Sequence, residues 1–160
     1  MDPLSIIASI TAIVTAAAGV ANILTQIRDK PRTVAILLTE VNHVRIICTS
    51  LHRFLDRTQR LDPARAALIQ LEDVVIILTQ TVLVFSELET IVAPLALQGR
   101  PSWRRLAWAW QETAALRLVN QLQRHKTSLS LVLQIIQWYV YFVALVFTVD
   151  NKLNLNFQRL

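Results

Sequence analysis

Apolar residues recur at three- and four-residue spacing along most of the chain, and polar interruptions divide the pattern into four stretches. That spacing matches the 3.6-residue turn of an α-helix and not the two-residue repeat of a strand. The first stretch, residues 4–24, reads LSIIASITAIVTAAAGVANIL and holds no charge. Asp2 is placed to cap it and Pro3 to open its first turn. A second helix is predicted from Pro31 to about Thr58. Its apolar stripe is Val34, Leu37, Leu38, Val41, Val44, Cys48, Leu51 and Leu55, with Arg32, Glu40, His43, Arg53, Asp56 and Arg57 largely between.

Asp62-Pro63 repeats the cap-and-proline start. A third stripe then runs through Ala64, Ala67, Leu68, Leu71, Val74, Val75, Leu78, Val82, Phe85 and Leu88. Its run VVIILTQTVLVF is rich in β-branched residues and favours a strand when taken alone. The sustained helical period decides for helix. Ile76, Ile77, Leu83 and Val84 lie off the stripe, which predicts burial on two sides. The stop falls at Pro94 or at Gln98-Gly99-Arg100-Pro101. Ser102 caps a last helix. Leu106, Trp110, Leu118, Leu122, Leu129 and Val132 mark its buried face, and Arg117, Asn120, Gln121, Arg124 and Lys126 its wet face. The fold class is all-α: a bundle of about four long helices, ending in a long apolar C-terminal helix.

Composition supports this. Hydrophobic residues make up 54% and charged residues 17%, against roughly 45–50% and ~25% in average domains. Disorder is excluded, and contact with a membrane or a partner stays open. Two glycines cannot supply the turns of a sandwich or barrel. The single cysteine, Cys48, forbids an internal disulfide and fits a reducing, cytoplasmic setting. The net charge is +5, but its order along the chain is basic, acidic (Glu72, Asp73, Glu87, Glu89), basic. That order predicts neighbouring helices of complementary sign. It argues against nucleic acid, which calls for one sign along a whole face.

No phosphate loop, dinucleotide fingerprint, nucleophile elbow or zinc-protease motif occurs. Cys48 and His52 share a helix face, but zinc needs three or four ligands and a Cys–His nucleophile needs an orienting group. The sequence therefore predicts no catalytic residue, cofactor, metal or small-molecule substrate. An enzyme is the least favoured class.

Two segments carry membrane-type composition. RPSWRRLAWAW, residues 100–110, offers Trp103, Arg104, Arg105 and Trp108 as membrane-interface residues, because Trp prefers headgroup depth and Arg pairs with phosphate. Trp110 is expected in the core. Residues 128–149 are uncharged, follow Arg124, His125 and Lys126, and carry the anchor residues Trp138, Tyr139, Tyr141, Phe142 and Phe147. On length this stretch is a transmembrane candidate, with the basic bundle on the cytoplasmic side.

The opening MDPLSIIASITAIV and the stretch from Trp110 to Gln137, W-Q-E…QLQRHKTSLSLVLQIIQ, resemble the HeLo-like N-terminal domain at the front of fungal STAND receptors. The resemblance covers residues 1–137 and leaves 138–160 as an apolar tail. It implies a helical signalling bundle whose N-terminal apolar helix enters membranes and causes cell death. Ile6, Ile7, Ile10, Ile13 and Val14 are then the membrane-active residues. The family offers no catalytic residues. The chain departs from it in having no nucleotide-binding domain and no repeats.

The tail also has a genetic reading. Trp138-Tyr139-Val140 is encoded by TGG-TAY-GTN, which contains the look of a fungal 5′ splice site, so residues 138–158 are a candidate translated intron. A signal peptide over residues 4–24 is disfavoured, since Asp2 precedes the run and no Lys or Arg does. The function expected from the sequence is a non-enzymatic signalling or effector module, cytoplasmic and membrane-associated. It acts by self-association or pairing with other helical domains, and by insertion of the N-terminal helix into membrane lipid. The alternatives are a constitutive tail-anchored or single-pass membrane protein held by residues 128–149, and a passive helix-pairing scaffold.

Overall fold

A computed structural model describes residues 3–27, 31–61, 71–97 and 101–157, with side chains at all of these except 3–4, 57–61, 71–73, 96–97, 101–107, 139–140, 143–144 and 146–157. Among the described residues it contains four helices and no strand. They are α1 (Pro3–Thr25), α2 (Arg32–Leu61), α3 (Leu71–Leu97) and α4 (Pro101–Phe157).

The helix ends follow local chemistry. After α1 the chain tightens, with the Gln26 and Ile27 amides donating to the Ile23 and Leu24 carbonyls. The Pro31 carbonyl accepts from the Val34 and Ala35 amides and starts α2. Pro94 does not stop α3, which runs on to Leu97. In the last turn its missing N–H removes one ladder bond, and the chain absorbs that. The caps expected at Asp2 and Asp62, and the Ser102 side chain, lie outside the described residues and side chains.

The helices form a ring. α1 packs on α2 and α3, and α4 packs on the same two. Thr33 near the start of α2 meets Trp108 and Glu112 near the start of α4, and Glu40 meets Gln123 and Lys126 further along both. α2 and α4 therefore run parallel. One buried cluster fills the ring, drawn from all four helices. α1 contributes Ile6, Ile10, Ile13, Ala17, Val20, Ala21 and Leu24. α2 contributes Val34, Leu37, Val41, Val44, Cys48, Leu51 and Leu55. Each set keeps the three- and four-residue spacing of the sequence.

Burial on α3 is one-sided. Val74, Leu78, Phe85, Leu88 and Val92 face the core, and Val84 is also buried. Of the four off-stripe residues, Val84 is buried and Ile77 half-buried against the core, while Ile76 and Leu83 are exposed, at 54% and 65%, so the buried face is widened and not doubled. In a ring, each helix touches two neighbours on adjacent flanks and leaves its back to solvent.

On α4 the buried spine is Trp108, Ala115, Leu122, Leu129 and Ile136, at seven-residue intervals, with Leu118 and Val119 beside it. That register is the long-range packing repeat of bundle helices. It puts Trp108 (1% exposed) in the core and Trp110 (83% exposed) outside. The expectation that Trp110 packs inside is therefore corrected: two residues along a helix rotate a side chain about 200° away.

Candidate functional site

α1 is the element whose surface chemistry departs most from an ordinary bundle helix. Its buried edge is the apolar stripe above. Ile6, Ile10 and Ile13 are sealed in the core, and Ile7 and Val14 are half-buried. Its open side presents Ser5, Ala8, Thr11, Ala12, Thr15, Ala18, Gly19, Asn22 and Thr25. No residue from 4 to 25 is charged. A solvent-facing helix normally carries its charges on that side.

Four hydroxyls of α1 are turned inward on their own helix. Ser9 Oγ donates to the Ser5 carbonyl at 3.0 Å, Thr11 Oγ1 to the Ile7 carbonyl at 2.8 Å and Thr15 Oγ1 to the Thr11 carbonyl at 2.9 Å. Thr25 Oγ1 donates to the Asn22 carbonyl at 2.7 Å. Moving a hydroxyl out of water without a partner costs a few kcal/mol. These hydroxyls carry their partner with them. Gly19 adds no bulk, and a Cβ built there meets nothing within 4 Å.

Three helical segments are long and apolar enough to cross a membrane: Ser5–Thr25, Arg32–Asp56 and Val74–Leu95, with α1 the most apolar. α2 differs from α1 in carrying polar locks. Glu40, 7% exposed, accepts from Lys126 Nζ at 2.7 Å and from Gln123 Nε2 at 3.3 Å, with His43 Nδ1 at 4.0 Å. Burial acts to raise its pKa, but the Lys126 and Gln123 hydrogen bonds outweigh burial and hold the carboxyl below its usual value. At the other end of the α2–α4 seam, Trp108 Nε1 donates to Thr33 Oγ1 at 3.1 Å, and that hydroxyl donates to Glu112 Oε1 at 3.0 Å. Arg117 pairs with Glu87 across α3 and α4. That pair is the complementary charge expected between these helices. The more buried pair, Glu40–Lys126, joins two segments that are both basic overall.

The remaining sequence-derived residues fall as follows. Trp108 is sealed in the core, so in this state it does not face a headgroup layer. The side chains of Trp103, Arg104 and Arg105 lie outside the described set, as do those of Tyr139 and Phe147. Trp138, Tyr141 and Phe142 are exposed at 75%, 65% and 64%. Cys48 is fully buried, and burial pushes its thiol up to about 12. It is a protonated core residue, not a nucleophile. Among the described residues no three His, Cys, Asp or Glu side chains converge to hold a metal ion.

No protein-family model, no curated protein and no solved structure matches this chain.

Proposed function

We propose that this chain is a non-enzymatic signalling or effector module that acts on membranes by releasing α1 from the bundle into the lipid. One observation carries the reading: α1 is uncharged on every face, and its Ser9, Thr11, Thr15 and Thr25 hydroxyls already donate to its own backbone. Such a helix carries these hydroxyls into hydrocarbon already partnered. At 23 residues it is about 35 Å long, enough for the ~30 Å core of a bilayer.

Water is not a destination for it. Exposing Ile6, Ile10, Ile13, Val20 and Leu24 costs about 8–15 kcal/mol in lost burial. Release is feasible only where another apolar phase receives the same stripe. The module is then cytoplasmic at rest and membrane-associated when active, which agrees with what the HeLo-like resemblance implies for residues 4–24. In this reading the uncharged stretch 128–149 makes α4 a long apolar C-terminal helix that serves association between copies and not constitutive anchorage.

Dye leakage from anionic phospholipid vesicles tests the proposal. Ala18 is exposed on α1, so Ala18→Asp leaves the bundle packing intact. A carboxylate near mid-bilayer costs about 2.5–3.5 kcal/mol on insertion, a loss of about two orders of magnitude. Leakage equal to the parent chain refutes α1 as the inserting segment. In the resting state, extraction of the full chain by alkaline carbonate is the expected result. Retention in the membrane pellet that Ala18→Asp leaves unchanged would favour a tail anchor.

A further inference from the structure

The outward face of α4 changes character along its length. Beside the bundle it presents Thr113, Arg117, Asn120, Arg124 and Thr127, all exposed and polar. From Leu131 on, the same face presents Leu131, Ile135, Trp138 and Phe142, exposed at 57%, 59%, 75% and 64%. Their spacing is four, three, four. That is the alternation of a coiled-coil seam, and these residues point away from the buried spine at Leu129 and Ile136. Beyond Ile136 the described side chains Gln137, Trp138, Tyr141, Phe142 and Leu145 are exposed, so the apolar stripe stays open to solvent along this part of the helix. At its upper end the stripe joins a groove between α2 and α4 lined by Ile46, Ile47 and Leu131, and Ile46 is itself 59% exposed.

We infer that this stripe is a dimer seam, and that its occupant is α4 of a second copy running antiparallel. The area suits such a pair. Leu131, Ile135, Trp138, Tyr141 and Phe142 together expose on the order of 600 Å² of side chain. A symmetric pair then buries up to about 1,200 Å², on the scale of the roughly 1,000 Å² that a specific interface needs. The spacing is self-complementary, as a two-fold contact requires. Set antiparallel, Ile135 faces the partner's Trp138, and Leu131 faces the partner's Phe142. The C-terminal part of the partner's α4 then lies at the mouth of the α2–α4 groove. A parallel pair would bring both bundles to the same end and leave both grooves empty. No charge between residues 127 and 149 opposes the contact.

Sedimentation equilibrium of the full chain in buffer is expected to give twice the monomer mass of 18.2 kDa. Ile135→Lys and Phe142→Lys are expected to give monomer, with helicity by circular dichroism unchanged because both positions are exposed. Cysteine crosslinking fixes the direction, since Cys48 is buried and does not compete. Leu131→Cys mixed with Phe142→Cys is expected to form a disulfide-linked heterodimer, and Leu131→Cys alone none. Self-crosslinking of Leu131→Cys without the mixed product would overturn the antiparallel seam. A parent chain that is monomeric in buffer, and binds vesicles through this stripe so that Phe142→Lys abolishes flotation, would overturn the proposal in favour of lipid. None of these readouts depends on α1, so this inference and the membrane-insertion proposal fail separately.

Discussion

Phe85 offers the sharpest test of whether α1 release is the working step. It lies on α3, is 1% exposed, and shares the α1–α3 groove with Thr11, Ile13 and Ala16. Phe85→Ala removes a large core side chain without touching the sequence of α1. The expected cost is about 3–5 kcal/mol. In a chain of 160 residues that lowers Tm by about 6–20 °C. The cavity opens against α1, so part of the cost is a weaker hold on that helix. If only a third of it bears on α1, the released population rises about tenfold, at 1.4 kcal/mol per decade. The control is Leu122→Ala. Leu122 is fully buried on α4, which packs on α2 and α3, and its loss costs a comparable 2–5 kcal/mol. Thermal melts by circular dichroism confirm that both variants are weakened. Vesicle leakage then separates them. Phe85→Ala should leak about ten times faster than the parent, and Leu122→Ala should stay near it. Equal leakage from two equally destabilised variants would refute the reasoning, because general loosening would then suffice.

Further expectations concern the polar locks and the thiol. Lys126→Ala should cost about 1.5–3 kcal/mol by urea titration, since it strands the buried Glu40 carboxylate. The Glu40 pKa is lowered on folding, so its contribution is full above about 4.5, the ordinary value, and drains away as pH falls through the lower folded value. Glu40→Gln should flatten that acid-side loss, and a profile identical to the parent's would remove the lock from the account. Trp108→Phe should cost about 0.5–1.5 kcal/mol through the lost Thr33 hydrogen bond. It should also shift tryptophan emission to the red, whereas Trp110→Phe should shift it to the blue. Cys48 should resist a disulfide exchange reagent in the native state and react once urea unfolds the chain. Ready labelling in buffer would contradict its burial.

The helical stripes were legible in the sequence because periodicity encodes them directly. Val34 through Leu55 and Val74 through Leu88 project inward nearly as spaced. What periodicity does not encode is which helices become neighbours. That information decided the fate of Ile76 and Leu83, which a ring leaves outside. It also decided Trp108 against Trp110, since the α4 spine is set by two flanking helices and not by local spacing. The Glu40–Lys126 pair was invisible for a related reason. Net charge by segment sets basic against basic there, and only the parallel run of α2 and α4 brings the two side chains together. The fitness of α1 as a membrane-spanning length was half legible. Its lack of charge is in the sequence, but the inward turn of its hydroxyls needed coordinates. The stripe from Leu131 to Phe142 was visible as apolar length and not as a seam, because its exposure depends on which flank of α4 the neighbouring helices cover.

The ring order also bears on synthesis. α1 needs both α2 and α3 to cover its stripe, yet α3 is completed only at Leu97, roughly 70 residues after α1 ends. At ordinary elongation rates that interval is about 4–14 s. Throughout it the nascent chain carries an uncharged, membrane-length helix with one flank bare. The ribosome therefore presents α1 to chaperones, or to a nearby bilayer, before the bundle can claim it, and the timing of translation becomes part of how the resting state is reached.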